Sequence, residues 1–336
     1  MWWNRLTCLQ THTVPAPAIL LRGLFYGRKQ LNWIDSVPSP SVIPMLNTRR
    51  FPAKLLLFGE HVLLLGAPAL AVPVAAFGGQ WAFSEDIDRH HTRLLQFAKS
   101  ASLESLDMLN TAQLIQDLNA GLYFQSNIPT GYGLGSSGAL CAAIYDRYAQ
   151  EKTDNLEVLK DVFAQMESFF HGNSSGIDPL TSFVGEPILI RNRTEVQRAT
   201  LQKWGAEKPV VFLVDSHLPR RTGPLVEWFL AQSREEFFSQ QLSSVYLPAH
   251  EAILQGWLSA DAELFWPNLR KISAFQLEFF IPMIPQTLHN LWEKSFDNQD
   301  FVLKICGAGG GGFMLGFARN LETAQALAAE FRIVFP

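Results

Sequence analysis

PTGYGLGSSG, from Pro129 to Gly138, is the stretch on which the reading of this chain turns. Its glycines, Gly131, Gly133, Gly135 and Gly138, let the backbone turn tightly and bring N–H groups up to an anion with no side chain in the way. Ser136 and Ser137 then lead into Gly138 to Gln150, where the alanines, Leu140, Ile144 and Tyr148 predict a helix. A helix N-terminus presents unpaired N–H donors and a partial positive charge, so a polyphosphate is its natural occupant. A tight turn with Ser136 or Ser137 acting only as an N-cap is the plainer reading of the same residues. The stretch is not a Walker A loop, because no GK[ST] follows, and it is not a GxGxxG set in a βαβ unit.

Upstream of the loop, Lys54 to Phe58 reads as a short buried strand, with Val62 to Leu65 as the second arm of a hairpin-like entry closing at Gly66. Ala69 to Val74 and Gln80 to Ser84 read as further strands, and Thr92 to Leu122 as two helices. Downstream, Leu156 to Phe170 is an amphipathic helix that ends in the polar, glycine-bearing stretch His171 to Asp178, followed by a strand over Pro187 to Arg191. Beyond a boundary near Gly205 come a strand (Val210 to Asp215) and three helices (Gly223 to Gln241, Ser243 to Leu258, Leu264 to Phe280). Two strands, Phe301 to Cys306 and Phe313 to Ala318, flank the glycine-rich turn Gly307 to Gly312, and Leu321 to Phe331 is a last helix. Helices and strands are mixed without a regular βα repeat, which predicts α+β layers and not a doubly wound sheet or a TIM barrel.

A chain of 336 residues, 48% hydrophobic and 17% charged, is long enough for two domains with full cores. Its net charge of −4 supplies no basic field for nucleic acid or an anionic membrane, and a small-molecule partner is expected. Cys8, Cys141 and Cys306 are too scattered for a disulfide framework or a zinc site, which points to a reducing, cytoplasmic setting. The first 44 residues, with Trp2, Trp3 and Trp33, show neither helical nor strand periodicity and are expected to stand outside the core. The expected layout is therefore an extension over 1–44, a nucleotide-binding domain over 45–205 and a second domain over 206–336.

Three separated motifs now carry a resemblance. Pro129, Gly133, Leu134, Gly135, Ser136 and Ser137 resemble the PxxxGLGSS phosphate loop of the GHMP kinases. The family's first motif is matched by Pro52, Lys54, Leu57, Gly59, Glu60, His61, Gly66, Pro68, Ala69, Leu70, Ala71 and Pro73, and its third by Lys304 and Gly307 to Gly312. Within the family, Glu167, His171, Gly172, Asn173, Ser175, Gly176 and Asp178 look like the ExxxHGNxSGxD pattern of the mevalonate kinase subgroup. GEH runs into Val62, Leu63 and Leu64 where a galactokinase would continue TDY.

The resemblance implies a fold of two domains, an N-terminal one like domain 2 of ribosomal protein S5 and a ferredoxin-like C-terminal one. It implies transfer of the γ-phosphate of ATP to a primary alcohol, mevalonate first, with Mg2+ as the metal. Asp178 would be the catalytic base with Lys54 beside it, the pair being sensible because opposite charges favour each other's ionised forms. Ser137 and Glu167 would hold Mg2+, which needs few protein ligands. Ser126, Gly131, Tyr132, Gly133, Leu134, Gly135 and Ser136 would line the nucleotide. Glu60, His61, Thr222 and Gly309 would face the acceptor, and the third glycine loop would pack against the first. The chain departs from the family pattern at Ser174, Gly138 and Cys306, where proline, alanine and threonine are usual. Phosphomevalonate kinase or another GHMP kinase is the second reading, with Arg220 and Arg221 undecided between pocket and surface; a non-catalytic sensor is the third. A homodimer stays open.

Overall fold

The computed structural model describes residues 49–84, 89–192, 194–220, 222–297 and 299–336, and the side chains of 89–91 and 222 lie outside the description. The expectation that 1–44 stands apart from the core falls outside the described residues, as does the side chain of Thr222.

The first sheet is antiparallel throughout. β1 (Phe51–Phe58) pairs with β2 (Ala69–Phe83), whose fifteen residues serve two further neighbours. Its first residues pair with β4 (Ile188–Ile190) and its last with β3 (Leu122–Ser126), while β5 (Val196–Arg198) extends the sheet beyond β4. The two strands expected over this stretch are thus one bent strand. The register with β1 breaks between Pro52 and Ala53, and a Cβ at Gly78 would sit 2.8 Å from the Phe51 carbonyl oxygen, so glycine allows the close approach at the bend. Val62–Leu65 is a turn of 3-10 helix and not the arm of a hairpin. His61 at φ 64° and Gly66 at φ 92° reverse the chain at either end, which an apolar run cannot reveal by its pattern.

Helices α1 (Arg89–Ala98), α2 (Ala101–Glu104), α3 (Thr111–Asn119), α4 (Ser136–Tyr148), α5 (Leu156–His171) and α6 (Ile177–Val184) cover this sheet. α4 is its central helix. It buries Gly138, Ala139, Cys141, Ala142, Ala143, Ile144, Tyr145 and Tyr148, and so many small residues let it lie close to both α6 and β1. α6 was not expected: the eye stops at the polar run 171–178, yet Gly176 in the left-handed region caps a new helix with Pro179 in its first turn, where a missing N–H costs nothing.

The second sheet, also antiparallel, has the order β7 (Phe301–Lys304), β8 (Phe313–Ala318), β6 (Val210–Asp215), β9 (Ile333–Val334). α7 (Thr222–Gln232), α8 (Glu236–Gln241), α9 (Leu247–Ser259), α10 (Ala262–Phe279), α11 (His289–Asp297) and α12 (Leu321–Ala326) belong to this half. The last helix is shorter than its sequence pattern: α12 ends at Ala326 and passes into a 3-10 turn over Leu327–Ala329, after which residues 333–334 pair with Leu213 and Val214 at the sheet edge. Gly205 lies in the connection between the two sheets. Phe58, at the end of β1, is fully buried against Trp257, Phe265 and Phe317 at ring distances of 5.7, 6.1 and 5.9 Å, so one aromatic cluster ties the first sheet to the second. The α+β arrangement expected from the sequence is the one observed. Among the described residues, no helix is long and apolar enough to cross a membrane.

Candidate active site

The glycine loop enters α4 without a side-chain cap. Gly135 occupies the N-cap position in the left-handed region at φ 70°, and no side chain accepts from the first turn, so the helix N-terminus keeps its donors for another partner. Gly131 and Gly133 also have positive φ, at 79° and 74°. Leu134 is buried and its carbonyl accepts from the Lys54 N–H at 2.9 Å, which pins the loop to β1 one residue before the cap.

Asp178, in the first turn of α6, faces this cap: a Cβ on Gly135 would stand 3.2 Å from its Oδ2. Lys54 of β1 forms an ion pair with its Oδ1, the lysine side chain 9% and the aspartate 28% exposed. The pair therefore sits in a recess with one side open. Gly138 makes the approach feasible, since a Cβ there would meet the Asp178 carbonyl carbon at 2.8 Å and the Pro179 nitrogen at 2.7 Å. The departure from the family's alanine thus coincides with an unusually close contact between α4 and α6.

Glu167 of α5 completes the charged group. Ser137 Oγ donates to its Oε1 at 2.8 Å and Ser174 Oγ to its Oε2 at 2.6 Å, and His171 Nε2 lies 3.0 Å from the same Ser137 oxygen. Burial, and then the negative charge of Asp178, push the Glu167 carboxyl up to about 7. A divalent cation beside this carboxylate would favour its charged form. Among the described residues no group of three or more His, Cys, Asp or Glu could hold a metal alone. The set therefore fits Mg2+, which takes one or two protein oxygens and completes its shell with phosphate and water, better than a metal needing an all-protein cage. Ser174 was noted in the sequence only as a missing proline; it puts a hydroxyl on the carboxylate.

Arg220 is the residue sequence reasoning left undecided. Its guanidinium enters between the first and third glycine loops: a Cβ on Gly133 would land on it, and one on Gly307 would collide with it. Its Nε is buried with no hydrogen-bond partner, and burial lowers its pKa while Asp178 and Glu60 lie near enough to raise it. A cation with an unused donor at this place is set to meet an anion. The signal in the sequence was the glycine at 133 and at 307, legible only once the arginine is seen between them.

The expected acceptor residues divide. His61 is buried, flanked by Phe229 and Phe280 at ring distances of 5.1 and 5.9 Å, with Nε2 unpartnered and a pKa lowered to about 4 by burial and by Arg220. Glu60 is buried and spends its Oε1 on Lys304 Nζ at 2.6 Å. Gly309 packs on Met283, where a Cβ would stand 2.6 Å from the carbonyl oxygen. The third glycine turn meets the first through Gly312 instead, whose Cβ would lie 3.1 Å from Tyr132 Cα. Ser126 closes β3, its Oγ accepting from the Ile128 N–H.

Residues 98–186, which span α4, α5, α6 and the glycine loop, match the GHMP kinases N terminal domain. The fold is that of solved GHMP kinases: the Streptococcus pneumoniae phosphomevalonate kinase (TM-score 0.63, 15% identity) and the Methanococcus jannaschii mevalonate kinase (TM-score 0.59, 15% identity), each match covering 87% of this chain and 98% of the other. In its N-terminal domain and its fold this chain is similar to ATP-dependent kinases of the GHMP type. The curated proteins it is similar to are mevalonate kinases. That of Archaeoglobus fulgidus is 28% identical over 294 residues, 83% of this chain and 95% of that one, and that of Pyrococcus abyssi is 30% identical over 174 residues, 43% and 50% of the two chains.

Proposed function

We propose that the chain transfers the γ-phosphate of ATP to the primary hydroxyl of mevalonate, with Asp178 as the base. The observation that carries this reading is the Lys54–Asp178 ion pair held at the uncapped N-terminus of α4, where a polyphosphate and an acceptor oxygen can meet. The backbone of 131–137 cradles the phosphates. The acceptor O–H gives its proton to Asp178, its oxygen bonds to the γ-phosphorus, and the bond to the β-bridging oxygen breaks to release ADP. Lys54 stands beside that oxygen and favours its anionic form, and Arg220 faces the charge of the transferring group. Ser137 and Glu167 would hold Mg2+, which when bound neutralises phosphate charge.

Mevalonate is favoured as acceptor by the similarity to curated mevalonate kinases, that of Archaeoglobus fulgidus across nearly its whole length, and by the pattern from Glu167 to Asp178. The aromatic wall of Phe229 and Phe280 behind His61 suits a branched carbon skeleton better than a second phosphate. A coupled ADP-release assay over mevalonate, phosphomevalonate, galactose and homoserine tests the reading. Mevalonate is expected to give the highest kcat/KM, and preference for any other acceptor overturns the assignment.

A further inference from the structure

Asp215 is a buried acid with no part in the chemistry above, and its partners are Tyr132, His217 and Arg332. It ends β6, 3% exposed, and its Oδ1 accepts from the Tyr132 hydroxyl at 3.2 Å and from the His217 N–H at 2.8 Å. Its Oδ2 pairs with Arg332 Nη1 at 3.2 Å, and its own N–H donates to the Arg332 carbonyl at 3.0 Å. Ser216, the next residue, donates from both N–H and Oγ to the Gly312 carbonyl, at 3.0 and 2.7 Å. Gly312 donates back to the Leu218 carbonyl at 2.8 Å, and the chain then runs directly into Arg220. The ring of Tyr132 meets Phe313 edge-on at 4.8 Å.

Tyr132 is the one bulky polar side chain in a stretch of loop otherwise made of glycine and a buried leucine. Glycines at positive φ confer reach but no rigidity, so something outside the loop must choose its conformation. We propose that Asp215 is a positioning residue for the nucleotide: through the Tyr132 hydroxyl it holds the glycine loop in the shape that cradles the triphosphate. Its anchoring by Arg332 and by the Ser216–Gly312 contacts makes the second sheet the fixed body against which the loop is set. The structural alternative, a buried acid that merely stabilises the fold, needs no link to ATP. This inference rests on the reading that residues 129–138 hold the triphosphate.

The test measures KM for Mg·ATP, KM for mevalonate, kcat and thermal unfolding on the full chain and on Tyr132→Phe, Asp215→Asn and Asp215→Ala. Tyr132→Phe removes one hydroxyl from a half-buried side chain, and KM for ATP is expected to rise about fivefold to tenfold, the worth of one hydrogen bond to a buried acid. KM for mevalonate should stay within about twofold, because the acceptor pocket does not touch this bond. Asp215→Asn keeps an oxygen for Tyr132 and should recover most of the ATP affinity that Asp215→Ala loses. Hydrogen exchange should quicken in residues 129–138 of Tyr132→Phe and not in α10. Tyr132→Phe with wild-type KM for ATP, or with both KM values raised alike, overturns the proposal. Wild-type chain that binds no ATP overturns the reading of the loop itself, a separate and recognisable failure.

Discussion

Two of the lysine–carboxylate pairs among the described residues, Lys304–Glu60 and Lys54–Asp178, differ in what surrounds them. Lys304 and Glu60 meet at 2.6 Å with each side chain 1% exposed, and the ammonium is also met by the carbonyls of Leu57 and Ile305 at 3.1 and 2.9 Å. Lys54 and Asp178 meet in a recess where the aspartate is 28% exposed. The first pair joins the end of β1 to β7 and has every donor engaged. The second lies against the cap of α4 and keeps one side for a ligand. A lysine and a carboxylate are thus a sealed bolt in one place and an open pair in the other, and enclosure is what separates them.

The largest effect expected is at the open pair. Asp178→Asn should lower kcat by about 10²- to 10⁴-fold, the usual worth of a positioned base, with ATP binding by calorimetry nearly unchanged. Turnover at the wild-type rate would dissolve the contrast. The sealed pair should answer in stability instead. Lys304→Met leaves a buried carboxylate unpaired at a cost of about 3–5 kcal/mol, read as a fall in denaturation midpoint, whereas Lys54→Met should abolish turnover with a much smaller loss. Equal losses of stability at both lysines would show that the recess is as closed as the bolt.

Gly138→Ala probes how the open pair is held. The new Cβ must displace the backbone of Asp178 or Pro179, and kcat is expected to fall about tenfold from misplacement of the base, with KM for ATP little changed. An alanine variant with full activity would show that α6 can retreat without moving the carboxylate. The smallest effect concerns pH. Burial holds both His61 and His250 at about 4 against an ordinary 6.5, so below 6.5 the unfolded chain takes up protons that the folded one refuses. The stability these neutral rings permit is complete above pH 6.5 and is lost as pH falls toward 4. Glu167, raised to about 7, and Glu60, raised by burial, work in the opposite sense above 4.5. His250→Gln, which can still donate to the Pro68 carbonyl, should therefore lose less stability than the wild-type chain as pH falls from 6.5 toward 4, read from the unfolding midpoints; an equal loss would remove His250 from the account.

Legibility tracked the length of the pattern. α5 and α10 repeat their apolar residues over four or more turns and were readable within a few residues of their ends. α6 was not, because two turns seldom outweigh a run of glycine and serine, and the bent β2 was split because glycines interrupt its pattern. The glycine loop, Lys54 and Ser137 stood out in the sequence because they fall in family-like motifs, and Glu167 and Asp178 because they fall in the ExxxHGNxSGxD pattern. Arg220 and Asp215 did not: each acts across a contact between distant segments, and neither has a local spacing that marks it.

By itself, then, the order of residues determined the chemistry on offer: a glycine loop opening a helix, a lysine and an acid of types that can pair, and a hydroxyl and a carboxylate of the kind a hard cation takes. Only the tertiary structure decided which charges stay open and which are sealed. Glu60 and Asp178 are both acids beside lysines in glycine-bearing motifs, and their fates diverge because exposure and competing hydrogen-bond partners are properties of the packed chain, set by elements that lie more than a hundred residues away.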